Sequence, residues 1–198
     1  MAVKQTSTIT KNGRAPLPGE RPSVGGPEKR GGRQRSSSEY KKSLVEKQAL
    51  RELYGLSEKQ FKRYVKNALL KMQKVQNVSD ELIKTLETRL DNVVFRAGLV
   101  KTRRQGRQIV SHAFFTVNGK AINTPSFAVK TGDVVAVKES KKKKPFFMGI
   151  APELKKALHP SWIDFDAEKM EVKVKGNPTI AEANPPVEIS LIFEFYSR

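Results

Sequence analysis

The sequence has no cysteine and only two histidines, His112 and His159, among its 198 residues. Disulfide bonds and thiolate-bound zinc are therefore excluded, and a histidine-rich metal centre cannot be assembled. One histidine would suffice for a Ser-His-Asp arrangement, but the chain lacks a Gly-x-Ser-x-Gly elbow, a Walker loop and a dinucleotide-binding glycine motif. These absences predict a protein that is not an enzyme and has neither a metal site nor a cofactor. The lack of cysteine also fits a cytosolic protein.

Negative charge is scarce as well. The chain has 38 Lys and Arg against 20 Asp and Glu, which gives a net charge of +18. This imbalance increases self-repulsion in the folded protein, and a polyanionic partner would relieve it. An anionic membrane is the weaker candidate, because the apolar runs are only a few residues long and Met1–Thr10 has no apolar core of signal-peptide length. The composition therefore favours nucleic acid.

Residues 1–38 are rich in glycine and proline and poor in large apolar side chains. Such a segment cannot bury enough surface to offset its ordering entropy, so we expect a flexible arm in the free protein. Its basic residues suggest that the arm becomes ordered on a phosphate backbone, and a solvated tail without function is the alternative. The candidate phosphate contacts in the arm are Arg30, Arg33 and Arg35.

Three amphipathic helices are predicted over residues 39–90. The first begins at Glu39 and stops at Gly55, Ser57–Gln60 is a capping box that opens the second, and the third follows Ser79. The second helix has a basic face opposite an apolar stripe with aromatic residues, and we interpret this stripe as core rather than as a base-stacking platform. The expected core positions are Leu44, Val45, Ala49, Leu53 and Tyr54 in the first helix, Phe61, Tyr64, Val65, Ala68, Leu69, Met72 and Val75 in the second, and Leu82, Ile83, Leu86 and Leu90 in the third.

A different pattern follows over residues 91–144. Asp91–Gly98 is a short helix, and Thr102–Gln105 is a second capping-box pattern that starts another. Asn118-Gly119 after an apolar run is the strongest short hairpin signal, and Val134–Val137 is a further strand. This order predicts an α+β module of two short helices followed by a small twisted antiparallel sheet.

The second short helix of this module is the main candidate for a nucleic-acid surface. Between Asn92 and Gly132 the chain has seven Lys or Arg and no acidic residue, whereas a surface built only for solubility mixes both signs. Cations suit phosphates, amides suit sugars and bases, and the positive end of a helix can receive a phosphate. The candidate contacts are Arg103, Arg107 and Ser111 on one strip of the helix, Arg104, Gln108 and His112 on the strip beside it, and Asn118 and Lys120 at the hairpin tip.

Folded RNA is the favoured partner of this surface. No repeated aromatic motif of the kind that stacks single-stranded bases is present, which indicates recognition of shape rather than sequence. Duplex DNA is less favoured, because neither a dimer zipper nor half-site symmetry is visible.

Residues 145–198 are expected to complete the core of the helical domain. A short helix is predicted near Pro152–Leu158, extended pieces near Trp162–Phe165 and Met170–Val174, and a closing strand over residues 189–196, where apolar and polar residues alternate in part. Lys141–Lys144 is interpreted as a basic linker. The predicted domains are the arm over residues 1–38, a helical domain over 39–90 completed by 145–198, and the module over 91–144.

Several motifs resemble the family of small-subunit ribosomal protein four (S-four) over roughly residues 39–198. The RNA-binding module of that family, which also occurs in RNA modification enzymes and a tRNA synthetase, is similar to Arg89–Val94 (RLDNVV), Thr102–His112 (TRRQGRQIVSH), Val117–Lys120 (VNGK) and Thr131–Val135 (TGDVV). The flanking motifs are more specific to the ribosomal protein itself. They are Glu46–Gly55 (EKQALRELYG), Lys59–Phe61, Trp162 with Asp166, Lys169–Glu171 and the ending Glu194–Arg198 (EFYSR).

The resemblance implies a fold of the alpha-L type and a place in the cytoplasmic ribosome. Members of the family bind ribosomal RNA directly at a multi-helix junction in the body of the small subunit and nucleate its assembly. They contact neighbouring protein five near the messenger RNA entry channel, influence decoding accuracy together with proteins five and twelve, and some repress their own message. The resemblance also adds basic positions of the helical domain to the RNA-contact candidates, namely Lys47, Arg51, Lys62 and Arg63.

Two other functions would use the same module. An RNA modification enzyme needs a catalytic domain, for which residues 145–198 are too few. A free-standing RNA chaperone of stalled or damaged ribosomal particles is disfavoured by the match in the helical domain. The chain departs from the family twice: it lacks the N-terminal cysteine cluster that binds zinc or an iron–sulfur centre in many members, and it has Gly106 where they often have alanine, which costs the helix about 1 kcal/mol.

Overall fold

The computed structural model describes residues 38–73, 75–144, 146–147 and 159–197. Residues 1–37 of the predicted arm, with Arg30, Arg33 and Arg35, lie outside the described residues. The helix predicted near Pro152–Leu158 lies outside them too. The described residues belong to one compact unit.

The first part of this unit consists of α1 (Glu39–Leu53), α2 (Glu58–Leu70) and α3 (Val78–Glu87). The predicted capping box is confirmed at α2, where the Gln60 amide donates to the Ser57 hydroxyl and the Ser57 amide donates to the Gln60 side chain. Phe61 is fully buried, so the aromatic stripe of α2 is core, as predicted. Met72, however, lies beyond the end of α2 and is 62% exposed, because the helix stops before the stripe is completed.

The core-facing side of α1 was predicted only in part, since Tyr54 alone of its buried residues was expected in the core. The buried positions are Ser43, Lys47, Leu50 and Tyr54, whereas Val45 is 53% exposed. These four residues have the i, i+4, i+7, i+11 spacing of one helix face, but two of them are polar and conceal it in the sequence. Lys47 tolerates burial because its ammonium is 2.9 Å from a Glu58 carboxylate oxygen and lies 4.6 Å from the centre of the Phe195 ring.

The predicted helix–helix–sheet order is confirmed in the second part of the unit. It contains α4 (Leu90–Arg96), α5 (Arg103–Ser111), β1 (Phe115–Val117), β2 (Lys120–Ile122) and β3 (Val134–Val137). The turn between β1 and β2 has positive φ at both Asn118 (49°) and Gly119 (78°), as a type I′ hairpin requires. Part of the predicted Lys141–Lys144 linker is helical, within α6 (Glu139–Lys142).

The C-terminal segment divides between the two parts of the unit. Its strands β4 (Ile163–Asp166) and β5 (Glu171–Val174) extend the sheet, which is antiparallel and has the strand order β2-β1-β3-β5-β4. Its helices are α7 (Ile180–Ala183) and α8 (Ile189–Ser197), and the apolar residues of α8 join the cluster formed by α1, α2 and α3. The division of the chain into separately folding domains stays a prediction.

The strand predicted over residues 189–196 was wrong, because this segment forms α8. Its apolar residues fit both the alternating period of a strand and the 3.6-residue period of a helix, and the prediction rested on the alternation. In the structure Ile189 and Ile192 are buried and Phe193 and Tyr196 pack on the helical cluster, which is the i, i+3, i+4, i+7 spacing of a helix. Packing against α1 and α2 therefore decides the conformation of this segment.

Gly106 allows α5 to approach α4 closely. A Cβ atom at this position would lie 2.8 Å from the backbone oxygen of Asp91 and 3.3 Å from a methyl group of Val100. We expect Gly106→Ala to lower the free energy of unfolding by about 1 kcal/mol, because the overlap costs about 1–3 kcal/mol and the gain in helix propensity is about 1 kcal/mol. Urea unfolding of the full chain measures this, with Gln108→Ala on the exposed side of α5 as control. A more stable Gly106→Ala protein would contradict this close packing.

Candidate nucleic-acid interface

The outer side of α5 carries four of the predicted contact residues. Arg104, Gln108, Ser111 and His112 are all exposed. The hydroxyl of Ser111 donates to the carbonyl of Arg107 at 2.9 Å, whereas the other three side chains extend from the helix surface. A guanidinium, an amide and an imidazole along one strip of α5 can together meet the phosphates, sugars and base edges of a polynucleotide.

The N-terminus of α5 opens into a cleft of about 360 Å³ beside the turn after α1. Thr102 caps the helix by accepting a hydrogen bond from the Gln105 amide at 3.2 Å. The cleft is lined by Lys101, Arg103 and Arg104 together with Gly55 and Glu52. The positive end of the helix and the cations of Lys101 and Arg104 make this cleft suitable for a phosphate group.

Arg103 and Arg107 point inward, unlike Arg104, the third arginine of α5. Only 16% of the Arg103 side chain is exposed, and its Nε donates to Asn92 Oδ1 at 2.7 Å. Burial lowers the pKa of the Arg103 guanidinium, although the nearby Glu87 carboxylate acts in the opposite direction. Arg107 donates from Nε to Asp91 Oδ2 at 3.3 Å and from Nη1 to the carbonyl of Gly55. Both arginines therefore have acceptors inside the protein.

At the hairpin tip, Asn118 is exposed but its side chain is used to hold the turn. Its Nδ2 donates to Asp133 at 2.8 Å, and its Oδ1 accepts from the Val134 amide at 2.9 Å. Lys120 is exposed on the edge strand β2. Of the two predicted contacts, only Lys120 presents a cation at the surface.

The helical part contributes Lys62 and Arg63, which are exposed on α2. Arg51 is partly exposed and has an Nη atom 3.7 Å from Glu58 and another 3.7 Å from Glu52. Only 9% of the Lys47 side chain is exposed, and it is paired with Glu58. Burial alone would raise the pKa of Glu58, but the hydrogen bonds from Lys47 and Tyr196 and the nearby positive charges together outweigh it and lower the pKa. Lys47 therefore stabilises the helical core and presents no cation to a ligand.

A buried polar network beneath α5 was missed in the sequence. Glu87, Arg89, Asp91 and Asn92 are all at most 4% exposed, and they occupy the junction between α3 and α4. Charged residues between the apolar residues of Leu82–Val100 were the available signal. This network binds the two arginines that were expected to face RNA.

Tyr54 is the titratable group most affected by this network. Burial raises its pKa far above the ordinary value of 10, and the charge of Glu87 and the 2.6 Å hydrogen bond to it raise the pKa further. A raised folded-state pKa means that the hydroxyl contributes stability that is complete below the unfolded pKa and is lost as the pH rises toward the folded value. We therefore expect Tyr54 to ionise only as the protein unfolds.

An alkaline titration followed by tyrosinate absorbance and circular dichroism checks this expectation. Tyr54→Phe should remove one tyrosinate equivalent from the step that coincides with unfolding. Loss of that equivalent from an earlier step would show that Tyr54 is accessible to hydroxide in the folded protein.

Over the described ranges, no helix combines the length and the hydropathy needed to cross a bilayer. Within the same ranges, no three His, Cys, Asp or Glu side chains converge as a metal site would need.

Comparison with known proteins identifies the family. The S4 domain model matches residues 88–135, and the model of the ribosomal protein S4/S9 N-terminal domain matches residues 6–87. Small ribosomal subunit protein uS4 of Agathobacter rectalis is 44% identical over 164 residues, which cover 83% of this chain and 82% of that protein. This chain is also similar to uS4 of Corynebacterium glutamicum, with 44% identity over 161 residues that cover 81% of this chain and 79% of that protein. It is 42% identical to uS4 of Caldicellulosiruptor saccharolyticus over 173 residues, which cover 87% of this chain and 81% of that protein. The chain belongs to the uS4 family of small ribosomal subunit proteins.

Proposed function

We propose that this protein is a structural, non-catalytic component of the small subunit of the cytoplasmic ribosome and binds its ribosomal RNA directly. Membership of the uS4 family supports the ribosomal role. The single observation that carries RNA binding is the exposed strip of Arg104, Gln108 and His112 on α5, in a segment of the chain without acidic residues. The net charge of the whole chain, +18, would be balanced by the RNA phosphates.

Binding in this proposal is mainly electrostatic and reads the shape of folded RNA. Arg104 and the N-terminus of α5 receive phosphates at the cleft, while Gln108 and His112 contact sugars or base edges along the same groove. Lys62 and Arg63 on α2 bind phosphates of a second RNA segment. If about ten phosphates are neutralised in all, the logarithm of the affinity falls with the logarithm of salt concentration at about −0.7 to −0.9 per contact.

The finer role rests on the family resemblance. By that resemblance the RNA target is a multi-helix junction in the subunit body, binding occurs early and nucleates assembly, and the protein contributes to decoding accuracy. Its neighbours are then protein five and, through a functional link, protein twelve, with messenger RNA passing at the entry channel.

Cosedimentation at high salt tests the ribosomal role. An integral component should stay with small subunits that have been washed in a high-salt buffer and sedimented, and should be recovered at about one copy per subunit. A factor that visits ribosomal particles, such as an RNA chaperone, would be lost in the wash. Recovery only in the unsedimented fraction would contradict the proposal.

A further inference from the structure

The two parts of the folded unit have separate apolar cores. One buried cluster, which includes Leu50, Phe61 and Ile192, lies among α1, α2, α3 and α8. The other, which includes Val94, Phe115 and Val172, lies between α4, α5 and the sheet. The side chains that connect the two are largely polar, and they are centred on two buried carboxylates, Glu87 and Asp91.

Glu87, at the end of α3, accepts hydrogen bonds from three residues on two other elements. Tyr54 at the end of α1 donates at 2.6 Å, Asn92 of α4 donates to both the side chain and the backbone of Glu87, and Arg96 of α4 donates at 2.7 and 2.9 Å. Arg96 also donates to the carbonyl of Ala183 in α7 at 3.0 Å. A carboxylate that is 1% exposed is stable only with such a full set of donors.

Arg103 of α5 is a second cation near this carboxylate, with Nη2 at 3.8 Å from Glu87. Its guanidinium lies 4.9 Å from the ring centre of Tyr54, which belongs to the helical core, and 4.5 Å from that of Phe95, which packs on the module core. One arginine is thus held between an aromatic ring of each core.

Asp91 connects the same two parts a second time. Arg89 donates to both of its oxygens, at 3.1 and 2.7 Å, and also to the hydroxyl of Tyr64 in α2 at 2.6 Å. Arg107 of α5 donates to Asp91 and to the carbonyl of Gly55 after α1. Through Asp91, α5 is therefore bound to the turn after α1 and to α2.

We propose that Glu87 and Asp91 are positioning residues for RNA binding, and this rests on the function proposed above. They fix α5, which carries Arg104, Gln108 and His112, relative to α2, which carries Lys62 and Arg63. With this geometry preset, one folded RNA meets both cationic surfaces without an ordering cost at each encounter. Arg103 and Arg107 act through the same network rather than on the RNA.

If Glu87 positions the two surfaces, its removal changes RNA affinity in the direction opposite to the one expected from net charge alone. Removing a negative charge from a protein that binds a polyanion should tighten binding if only net charge matters. If Glu87 positions the two surfaces, Glu87→Gln should weaken binding instead, because the new amide group turns a donor toward the donors of Asn92 and Arg96 and loosens the joint.

The experiment compares Glu87→Gln with Glu81→Gln in the full-length protein. Glu81 lies on the same helix, is 15% exposed and forms a 2.6 Å ion pair with Lys71 inside the helical part, so its substitution changes the net charge equally without touching the joint. Affinity for the junction-containing fragment of small-subunit ribosomal RNA is measured over a range of salt concentrations. We expect Glu87→Gln to bind at least about tenfold more weakly, with a salt slope shallower by about one contact or more, and Glu81→Gln to bind as tightly as the unmodified protein or slightly more tightly.

The salt slope distinguishes positioning from mere loss of folded protein. A smaller folded fraction weakens the apparent affinity but leaves the number of phosphate contacts, and so the slope, unchanged. If Glu87→Gln does not fold, Tyr54→Phe is measured in its place, because this substitution removes one donor to Glu87 and keeps the ring beside Arg103. A shallower salt slope for Tyr54→Phe supports the proposal, and unchanged binding overturns it. Binding by Glu87→Gln that equals or exceeds that of Glu81→Gln overturns it too, whereas failure of the unmodified protein to bind the fragment contradicts the proposed function instead.

Discussion

Arg89→Ala should lower the free energy of unfolding by about 3–5 kcal/mol, because it leaves the buried carboxylate of Asp91 without its main partner. The Arg89 side chain is 3% exposed, and its three hydrogen bonds go to Asp91 and Tyr64. Their combined effect outweighs burial and raises the pKa of Arg89, so the guanidinium stays charged throughout the accessible pH range. Arg107 still contacts Asp91 after the substitution, but only at 3.3 Å and from a partly exposed side chain.

Urea unfolding of the full chain, followed by circular dichroism, measures this loss. Arg104→Ala is the matched control, since it removes the same charge from an exposed position on α5 and should change the stability by no more than about 0.5 kcal/mol. An Arg89→Ala protein as stable as the Arg104→Ala protein would show that the network does not hold the two parts of the unit together.

The triple substitution Lys62→Ala, Arg63→Ala and Arg104→Ala should reduce affinity for ribosomal RNA about a hundredfold. Each side chain is exposed, and each lost phosphate contact is assigned about 1 kcal/mol, with about 1.4 kcal/mol for each factor of ten. The slope of affinity against salt should become shallower by about 2–3, because three counterion-releasing contacts disappear. Filter binding or fluorescence anisotropy over a salt series measures both quantities.

Three lysines of the C-terminal hairpin provide the control for this experiment. Lys169, Lys173 and Lys175 are exposed. The ammonium of Lys169 lies 4.0 Å from an Asp166 carboxylate oxygen, and that of Lys175 lies 3.1 Å from one of Asp164. Their substitution by alanine removes the same net charge from a surface where both signs alternate. Equal losses of affinity in the two triple variants would mean that net charge alone determines binding and that α2 and α5 have no special role.

The sequence predicted those parts of the fold that depend on local chemistry. The capping box of Ser57 and Gln60 and the hairpin turn of Asn118 and Gly119 are satisfied within a few residues, so their patterns survive any tertiary context. The buried face of α1, apart from Tyr54, and the helix α8 were predicted wrongly for the opposite reason. Their conformations depend on each other, since Lys47 of α1 packs against the ring of Phe195 in α8, and a single sequence does not display such a pair.

In the candidate site, too, the residues whose exposure depends on local spacing were predicted, and those whose burial depends on other elements were not. Arg104, Gln108 and His112 were predicted and are exposed, because their spacing on α5 alone places them on one strip. Arg103 and Arg107 share the neighbouring strip, and only the position of α4 and of the turn after α1 shows that this strip faces the protein. The burial of Lys47 is likewise invisible in the sequence, since its partner Glu58 lies on another helix.

Two cationic surfaces held in fixed geometry should recognise one folded RNA better than a flexible polyanion. Competition binding tests it most directly: labelled junction-containing transcript of the small-subunit ribosomal RNA is displaced by unlabelled transcript or by an unstructured polyanion of equal phosphate content. We expect the junction transcript to compete at least about a hundredfold better at physiological salt. Equal competition by the unstructured polyanion would contradict it.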